Sequence, residues 1–273
     1  MTMTMNTKGI LGAIAGDTIG SAYEFHPTKH MEFPLFLPQT TFTDDTVMTM
    51  AVAKWLCDDH DHTPKRLVKT MHLIGNDFPN RGYGGRFLHW LYDEETEPYN
   101  SYGNGSAMRV SPVGFYAKTL DEALSLAKIS AEVTHNHPEG IKGAQATAAA
   151  IFMARQGASK TEIRDYIEQT FQYDLHRTVE EMRPRYGFSE ICQTSVPESI
   201  ICYLESNTWK ETIRKAISMG GDADTMACIA GGIAAATPGM DVPADIAERC
   251  YWILDPQLRI VLEDFEKMLN ERA

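Results

Sequence analysis

The sequence predicts an all-α fold with a single domain over residues 1–273. Apolar residues recur at helical spacing in about ten segments, and hardly any stretch alternates polar and apolar residues as a half-buried strand does. No internal repeat, low-complexity segment or linker divides the chain. With 43% hydrophobic and 23% charged residues, the composition is typical of a soluble globular protein with a substantial core.

Charge and cysteine content restrict the partners and the compartment. The net charge of −12 repels nucleic acid and anionic membranes, so a polyanionic partner requires a local exception. Five cysteines, odd in number and widely spaced, favour reduced thiols. No basic and apolar leader opens the chain, and no run reaches the roughly 18 apolar residues of a membrane span. We therefore expect a cytoplasmic protein that does not contact membranes, while its oligomeric state stays open.

The first helix is predicted over residues 8–25 and contains a stripe of small residues. Its glycines stand three or four positions apart, at Gly9, Gly12, Gly16 and Gly20. Such a stripe allows another helix to approach closely. Asp17 and Glu24 interrupt the apolar pattern, and each is either a buried hydrogen-bonding anchor or part of a site. His26 and Pro27 are expected to end the helix, because proline disfavours a helical residue before it.

A cluster of oxygen-bearing side chains follows a proline-rich loop over residues 27–42. Residues 43–46 (TDDT) stand directly before an apolar helical segment that begins at Val47. Thr43 alone would be an ordinary N-cap, and acidic residues in a first turn are favoured by the helix dipole. Two adjacent aspartates before a buried helix are also compatible with a cation site.

The segment 76–104 is rich in Gly, Tyr, Asn and Pro, and we expect a long loop there. It leads into residues 103–109 (GNGSAMR), where unobstructed backbone N–H groups are compatible with a phosphate cradle and Arg109 could add a charged fork. A glycine-rich turn that caps a helix near Ala107 is the alternative, and the local pattern alone favours it.

Several further helices are marked by capping signals. Predicted capping boxes open helices at Thr119–Glu122, Ser159–Glu162 and Thr208–Glu211. Other helices are predicted over residues 64–75 and 140–157, from Pro197 to about Leu204, and after Pro243 and Pro256. Residues 172–195 are polar and irregular, which indicates a surface excursion.

His135 and His137 lie two positions apart at the end of the helix that Thr119 opens. Zinc is disfavoured there, because no Cys, Glu or third His stands at a suitable spacing. We expect a solvent-exposed or ligand-contacting imidazole instead.

A second acidic cluster occupies residues 220–225 (GGDADT), directly before the apolar helical segment 226–236. One Asp would be explained as a helix cap. Two carboxylates against an apolar surface repel each other, and a bound cation is the simplest relief. If the two helix N-termini converge, Thr and Asp side chains supply six oxygen ligands, which suits two hard cations such as Mg²⁺, Mn²⁺ or Ca²⁺.

Five motifs taken together resemble the ADP-ribosylglycohydrolase family, which includes the ADP-ribosyl-acceptor hydrolases and the dinitrogenase reductase-activating glycohydrolase. The motifs are residues 16–24 (GDTIGSAYE), 43–46 (TDDT), 103–109 (GNGSAMR), 134–135 (TH) and 220–225 (GGDADT). The resemblance covers the chain from about residue 8 to residue 255. One departure is Ala223, where many members of the family carry Thr.

The resemblance implies an orthogonal helical bundle with a dinuclear Mg²⁺ or Mn²⁺ site in a central cleft. The metal ligands that it implies are Thr43, Asp44, Asp45, Asp222, Asp224 and Thr225. The substrate-binding residues that it implies are Glu24, Gly103, Asn104, Gly105, Ser106, Met108 and His135. The implied reaction cleaves the bond between ADP-ribose C1′ and an acceptor, and carboxylates stabilise the developing oxocarbenium charge. Glu24, Asp44 and Asp45 are the candidate catalytic bases, and the sequence does not choose among them.

Three other functions stay open as alternatives. A di-metal phosphoesterase would use the same carboxylates on a phosphate, and a non-catalytic ADP-ribose-binding protein would only bind the nucleotide. A toxin-immunity protein that plugs a transferase would need a long N-terminal arm, and the short tail over residues 1–7 argues against it. The acceptor is not predicted, because no motif is recognisable in the expected rim loops 76–104 and 172–195.

Overall fold

A computed structural model describes residues 9–93 and 96–272. The short tail over residues 1–7 therefore lies outside the described residues, as do both end residues of the predicted 1–273 domain. The described residues form fifteen helices and contain no strand. The helices are α1 Leu11–Gly20, α2 Asp44–Asp58, α3 Pro64–Asp77, α4 Gly85–Tyr92, α5 Gly105–Met108, α6 Ser111–Tyr116, α7 Leu120–Glu132, α8 Pro138–Arg155, α9 Lys160–Phe171, α10 Val179–Met182, α11 Cys192–Leu204, α12 Trp209–Ser218, α13 Ala223–Ala236, α14 Ala244–Ile253 and α15 Pro256–Arg272. The all-α prediction is confirmed, whereas the single-domain boundaries stay a prediction.

Helix α13 lies at the centre of the structure, and all its residues are buried. Helices α1, α8, α11 and α12 pack around it. The glycine stripe of α1 faces α13, as the sequence predicts. A Cβ atom built on Gly16 would lie 2.1 Å from the carbonyl oxygen of Ala227, and one built on Gly20 would lie 2.5 Å from that of Ala223. Only residues without a Cβ permit this helix contact.

Helix α1 ends earlier than the sequence predicts. It stops at Gly20 rather than at His26 and Pro27, and Glu24 lies in the turn that follows. The Ser21 hydroxyl donates a hydrogen bond to the carbonyl oxygen of Thr18 at 2.9 Å. Such side-chain bonds compete with the backbone ladder and favour a helix end. The proline is therefore not what terminates the helix.

Both segments that the sequence predicts as irregular contain a helix. Helix α4 lies within residues 76–104, and α10 lies within residues 172–195, where Thr178 and Glu181 form a full capping box. Helix α11 also begins at Cys192, five residues before the predicted start, and it contains Pro197. The helix continues through the proline because all but a few of its residues are buried, so packing outweighs the missing N–H.

Of the three predicted capping boxes, only the one at Ser159 and Glu162 has both hydrogen bonds. At Thr119 the threonine accepts from the Glu122 N–H, but the glutamate accepts from the N–H of Lys118 instead of the cap residue. At Thr208 the corresponding glutamate accepts in the same way from Asn207. Both threonines therefore cap their helices as predicted. The hydrogen bond to the glutamate side chain comes from the residue before the N-cap instead of from the N-cap itself.

No helix among the described residues combines the length and the hydropathy that crossing a membrane requires.

Candidate active site

Asp17 is completely buried in α1 and holds the first residues of α2 in place. Its Oδ2 accepts hydrogen bonds from the backbone N–H groups of Thr43 at 3.0 Å and Thr46 at 3.1 Å. Its Oδ1 accepts from the Thr43 hydroxyl at 2.7 Å, and the Thr46 hydroxyl donates to Oδ2. Burial raises the pKa of Asp17, and these hydrogen bonds oppose that shift. The sequence leaves two roles open for Asp17, a buried hydrogen-bonding anchor or part of a site. The structure shows that Asp17 is a buried anchor.

The anchored residues form the N-terminus of α2. Thr43 is the N-cap, and its Oγ1 accepts from the Asp45 N–H at 3.3 Å. The side chain of Asp45 is 2% exposed, while Asp44 is half-buried. Both aspartates line the same cleft, although Thr43 lies behind its wall.

The N-terminus of α13 meets that of α2. The hydroxyl of Thr225 donates to Asp45 Oδ2 at 3.2 Å, which joins the two acidic clusters. Asp222 is the N-cap residue of α13, and its Oδ2 accepts from the side-chain amide of Asn104 at 2.8 Å. Asp224 follows in the first turn and is also buried. The structure therefore brings together the two clusters and the asparagine of the glycine-rich loop.

Glu24 approaches this cluster from the turn after α1. One carboxylate oxygen each from Glu24, Asp222 and Asp224 lies within 4.8 Å of the other two. Glu24 is half-buried and lines the cleft. Within residues 9–93 and 96–272, none of the cleft carboxylates forms an ion pair with a Lys, Arg or His side chain.

The electrostatics of the cleft reflect this concentration of acids. Burial, followed by repulsion from Asp224 and Asp17, raises the pKa of Glu24 to about 8. Burial raises the pKa of Asp222 to about 6. The pKa values of Asp44, Asp45 and Asp224 lie well above the usual range, again through burial first and neighbouring carboxylates second.

The donor set fits divalent cations. Oδ1 of Asp45 and Oδ1 of Asp224 are buried and have no hydrogen-bond partner among the described residues. A buried carboxylate oxygen without a partner is costly, and a cation would satisfy it. Carboxylate and hydroxyl oxygens are ligands that Mg²⁺ and Mn²⁺ prefer.

The glycine-rich loop forms the part of the cleft wall that adjoins Asp222 through Asn104. Gly103, Asn104, Gly105 and Met108 line the cleft, and His135 lines it beside the two glycines. A Cβ atom on Gly105 would lie 3.1 Å from His135 Nε2, and one on Gly103 would lie 3.5 Å from it. The glycines therefore allow the imidazole to approach the cleft.

Two polar residues of this motif are directed elsewhere. The side chain of Ser106 is fully buried, and its hydroxyl donates to the carbonyl oxygen of Gly140 at 2.7 Å, away from the cleft. Arg109 is also fully buried and donates from Nη2 to the Ser130 carbonyl at 2.7 Å and to Thr134 Oγ1 at 2.8 Å. Its guanidinium is therefore not the exposed phosphate fork that the sequence suggests.

The cleft has a volume of about 380 Å³, and both predicted rim segments contribute to it. Arg86 at the start of α4 lines it, donates to the carbonyl oxygen of Tyr99 and lies over that ring at 4.9 Å. Phe188, with 56% exposure, also lines the cleft. Sequence reasoning found the two segments but none of these residues, because an isolated Arg or Phe in a loop carries no local signal. The sequence singles out Asp17, but its partners Thr43 and Thr46 are not predicted, because they are distant in sequence.

A family model described as ADP-ribosylglycohydrolase matches residues 7–272. The chain belongs to this family. A solved structure described as an ADP-ribosylglycohydrolase-related protein complex shares the fold with a TM-score of 0.73 and 22% identity, over 96% of this chain and 97% of the other. The family resemblance found in the motifs is thus confirmed over nearly the whole chain.

Named relatives of the chain include hydrolases from distant organisms. The ADP-ribosylhydrolase ARH3 of Homo sapiens is 28% identical over 88% of this chain and 87% of its own length. The ADP-ribosylarginine hydrolase Tri1 of Pseudomonas putida is 25% identical over 89% of this chain and 73% of its own length. Membership of the family and these relatives support glycohydrolase activity on ADP-ribose.

Proposed function

We propose that this protein hydrolyses the bond between C1′ of ADP-ribose and an acceptor, with Mg²⁺ or Mn²⁺ bound at the acidic end of the cleft. The acceptor is a modified protein side chain or the other half of a small ADP-ribose conjugate. The observation that carries the proposal is the 3.2 Å contact between Thr225 and Asp45, which unites two helix N-termini in one carboxylate cluster. The names of the human and Pseudomonas putida relatives agree with this reaction.

Two cations would be held by the six oxygen-bearing residues of the two helix N-termini. These residues are Thr43, Asp44, Asp45, Asp222, Asp224 and Thr225. When bound, the cations supply Lewis-acid polarisation of the ribose hydroxyls and of water. The unpartnered Oδ1 atoms of Asp45 and Asp224 support this assignment.

The charge distribution along the cleft favours an anionic nucleotide. Five acidic residues gather at the two helix N-termini and the turn that holds Glu24. Arg86 and the buried Arg109 line the cleft on the side of Tyr99 and the glycine-rich loop, where Glu190 is the one acidic lining residue among those described. A diphosphate is stabilised beside cationic groups and repelled by free carboxylates. The reacting ribose is therefore proposed to face the acids, and the diphosphate is proposed to face Gly103 and Gly105.

Among the three candidate bases, we assign proton transfer to Glu24. Its carboxylate is half-buried and lines the cleft, whereas Asp45 is almost completely buried and accepts a hydrogen bond from Thr225. Glu24 accepts the proton of the attacking water as the bond from water oxygen to C1′ forms. The bond from C1′ to the acceptor breaks, and the acceptor leaves with its electron pair and takes up the proton that Glu24 accepted from water, which returns Glu24 to its carboxylate form.

The test is release of free ADP-ribose from a panel of ADP-ribosylated proteins and small conjugates, with Mg²⁺ and with EDTA. Asp45→Asn and Asp222→Asn remove one charge from each helix N-terminus while preserving the side-chain shape. Asp264→Asn, at an exposed position of α15, is the matched control. We expect release that depends on the metal, is lost in both cleft variants and is unchanged in the control.

Other results would identify the rival functions. Release of inorganic phosphate without free ADP-ribose would indicate a phosphoesterase. Tight binding of ADP-ribose without turnover of any substrate would indicate a binding protein, and the absence of both would contradict the proposal.

A further inference from the structure

Thr134 connects a buried arginine to the imidazole behind the glycine-rich loop. Arg109 Nη2 donates to Thr134 Oγ1 at 2.8 Å, and Thr134 Oγ1 lies 2.7 Å from His135 Nδ1. The N–H of His135 donates to the Ala131 carbonyl at 2.7 Å, so the backbone of the histidine is fixed as well. The imidazole is 5% exposed, and its Nε2 points toward Gly103 and Gly105 at the cleft wall.

The hydrogen bonds of Thr134 favour one tautomer of His135, because the other would leave the Thr134 hydroxyl proton without an acceptor among the described residues. A guanidinium has donors only, so Thr134 Oγ1 accepts the bond from Arg109. The hydroxyl has one proton to donate, and within the described part of the chain its available acceptor is His135 Nδ1. If Nδ1 accepts, a neutral imidazole carries its proton on Nε2.

The surroundings keep the imidazole neutral. Burial, followed by the charges of Arg109 and Arg86, places the pKa of His135 well below its usual value. The Tyr99 ring faces the imidazole with a centroid distance of 6.1 Å, and its own pKa is raised to about 12. No carboxylate in the described residues forms an ion pair with His135.

We propose that Arg109 and Thr134 are positioning residues, which hold His135 as the neutral Nε2–H tautomer so that it donates a hydrogen bond to an anionic oxygen of the ligand at the glycine-rich loop. The reverse tautomer would turn a lone pair toward the same place and repel that oxygen. The identity of the ligand as ADP-ribose rests on the proposed function, whereas the tautomer does not.

The charge of Arg109 adds to this preference for an anion. The side chain is fully buried, and its Nε and Nη1 have no hydrogen-bond partner among the described residues. Burial lowers its pKa to about 10, so the guanidinium is still charged at neutral pH. A buried cation without a carboxylate partner is stabilised when an anion binds nearby. Arg109 therefore acts on the ligand in two ways: through its hydrogen bond to Thr134 and through the electrostatic field of its positive charge.

The experiment compares Thr134→Val, which removes the hydroxyl at nearly constant volume, with Thr134→Ser, which keeps it. The first measurement is the long-range ¹H–¹⁵N correlation spectrum of the histidine side chains in the metal-free full chain, with the His135 signals assigned by their loss in His135→Gln. We expect the Nε2–H pattern at neutral pH in the wild type and in Thr134→Ser, and loss of that single pattern in Thr134→Val.

The second measurement is the affinity for ADP-ribose by calorimetry. We expect Thr134→Val to bind about tenfold more weakly, which corresponds to one charge-assisted hydrogen bond, and Thr134→Ser to restore wild-type affinity. Thr147→Val is the matched control, because Thr147 is also buried, in α8, and its hydroxyl has no hydrogen-bond partner in the described part of the chain. It should leave both measurements unchanged.

Two results would overturn the proposal. The first is a wild-type His135 that is charged or protonated on Nδ1 at neutral pH. The second is a Thr134→Val variant with an unchanged spectrum and unchanged affinity. If the wild type shows the Nε2–H pattern but does not bind ADP-ribose, the tautomer assignment is supported and the proposed function fails.

Discussion

Thr225 donates a hydrogen bond to Asp45 at 3.2 Å, although 180 positions of sequence separate the two residues. Each residue belongs to the first turn of a helix whose start is rich in acids. The contact closes a cluster in which burial and mutual repulsion raise the pKa of every carboxylate. Four predictions follow from this cluster and from the packing that holds it.

Divalent cations should stabilise the protein more at pH 8 than at pH 5.5. A carboxylate with a raised folded pKa is destabilising once it ionises, so the metal-free protein loses stability as the pH rises from about 4.5, the ordinary value for Glu, toward about 8 for Glu24. Bound Mg²⁺ removes that repulsion. At a hundredfold excess over Kd, we expect about 2.7 kcal/mol of stabilisation. Thermal melts with Mg²⁺ and with EDTA at both pH values measure the difference.

A metal effect of the same size at both pH values would contradict this account. Repeating the melts on Asp45→Asn should show a smaller effect of Mg²⁺, because one ligand charge is missing.

Glu24→Gln should abolish turnover without abolishing nucleotide binding. Without the proton acceptor we expect kcat to fall by about 10²–10⁴. Affinity for ADP-ribose should stay close to that of the wild type, and metal-free stability at pH 8 should rise because one repelling charge is removed. Single-turnover kinetics measure the expected fall in rate, and calorimetry measures the affinity for ADP-ribose.

Glu180→Gln is the matched control, since Glu180 is 90% exposed and, among the described residues, pairs with the nearby Arg183. A Glu24→Gln variant with normal kcat would transfer the catalytic role to Asp44 or Asp45.

Asp17→Asn should destabilise the fold and weaken metal binding together. The carboxylate accepts bonds from Thr43 and Thr46 on both oxygens, whereas an amide offers one acceptor oxygen and turns an NH₂ toward the remaining donor. We expect a loss of about 1–3 kcal/mol in the free energy of unfolding, measured with urea.

Asp58→Asn provides the comparison, because its ion pair with Lys54 at 2.9 Å is on the surface. That change should cost less than about 1 kcal/mol. Equal losses in the two variants would argue against the anchoring role.

Gly16→Ala should be destabilising, although alanine is a better helix former by about 1 kcal/mol. The new methyl group would lie 2.1 Å from the Ala227 carbonyl oxygen, which belongs to the backbone and cannot rotate away. We expect a net loss of about 1–3 kcal/mol in the free energy of unfolding. Gly187→Ala, where an added Cβ meets nothing within 4 Å, should be neutral. A stable Gly16→Ala would show that α1 and α13 can separate easily.

Sequence reasoning reached the fold and the two acidic helix starts because their signals are local. The stripe of glycines in α1 predicts close packing, and the hydroxyl N-caps Thr119, Ser159 and Thr208 predict where α7, α9 and α12 begin. The sequence also predicts that the two acidic helix starts converge in a single compact fold, and the contact between Thr225 and Asp45 agrees with that prediction. The ligand assignment itself stays a prediction.

What the sequence did not predict depends on tertiary contacts. Helix α4 has a glycine N-cap without a side-chain hydrogen bond and is held by packing, with Trp90 against His72 of α3 at a ring distance of 4.5 Å. Helix α11 runs through Pro197 because its surroundings are buried. The inward turn of Arg109 was equally unpredictable, since its partners Ser130 and Thr134 belong to another helix end.

The fixed spacing between the two acidic clusters depends on α1, which touches both. Asp17 sets the position of the α2 terminus, and Gly20 lies against Asp224 with a hypothetical Cβ only 2.5 Å from its Cα. The rim segments brace the same two clusters, since the Asp44 N–H donates to the Arg81 carbonyl at 2.8 Å and the Asn104 amide donates to Asp222 at 2.8 Å. A rim loop that is exchanged for a new acceptor therefore has to keep these two contacts if the distances between the reacting groups are to stay the same.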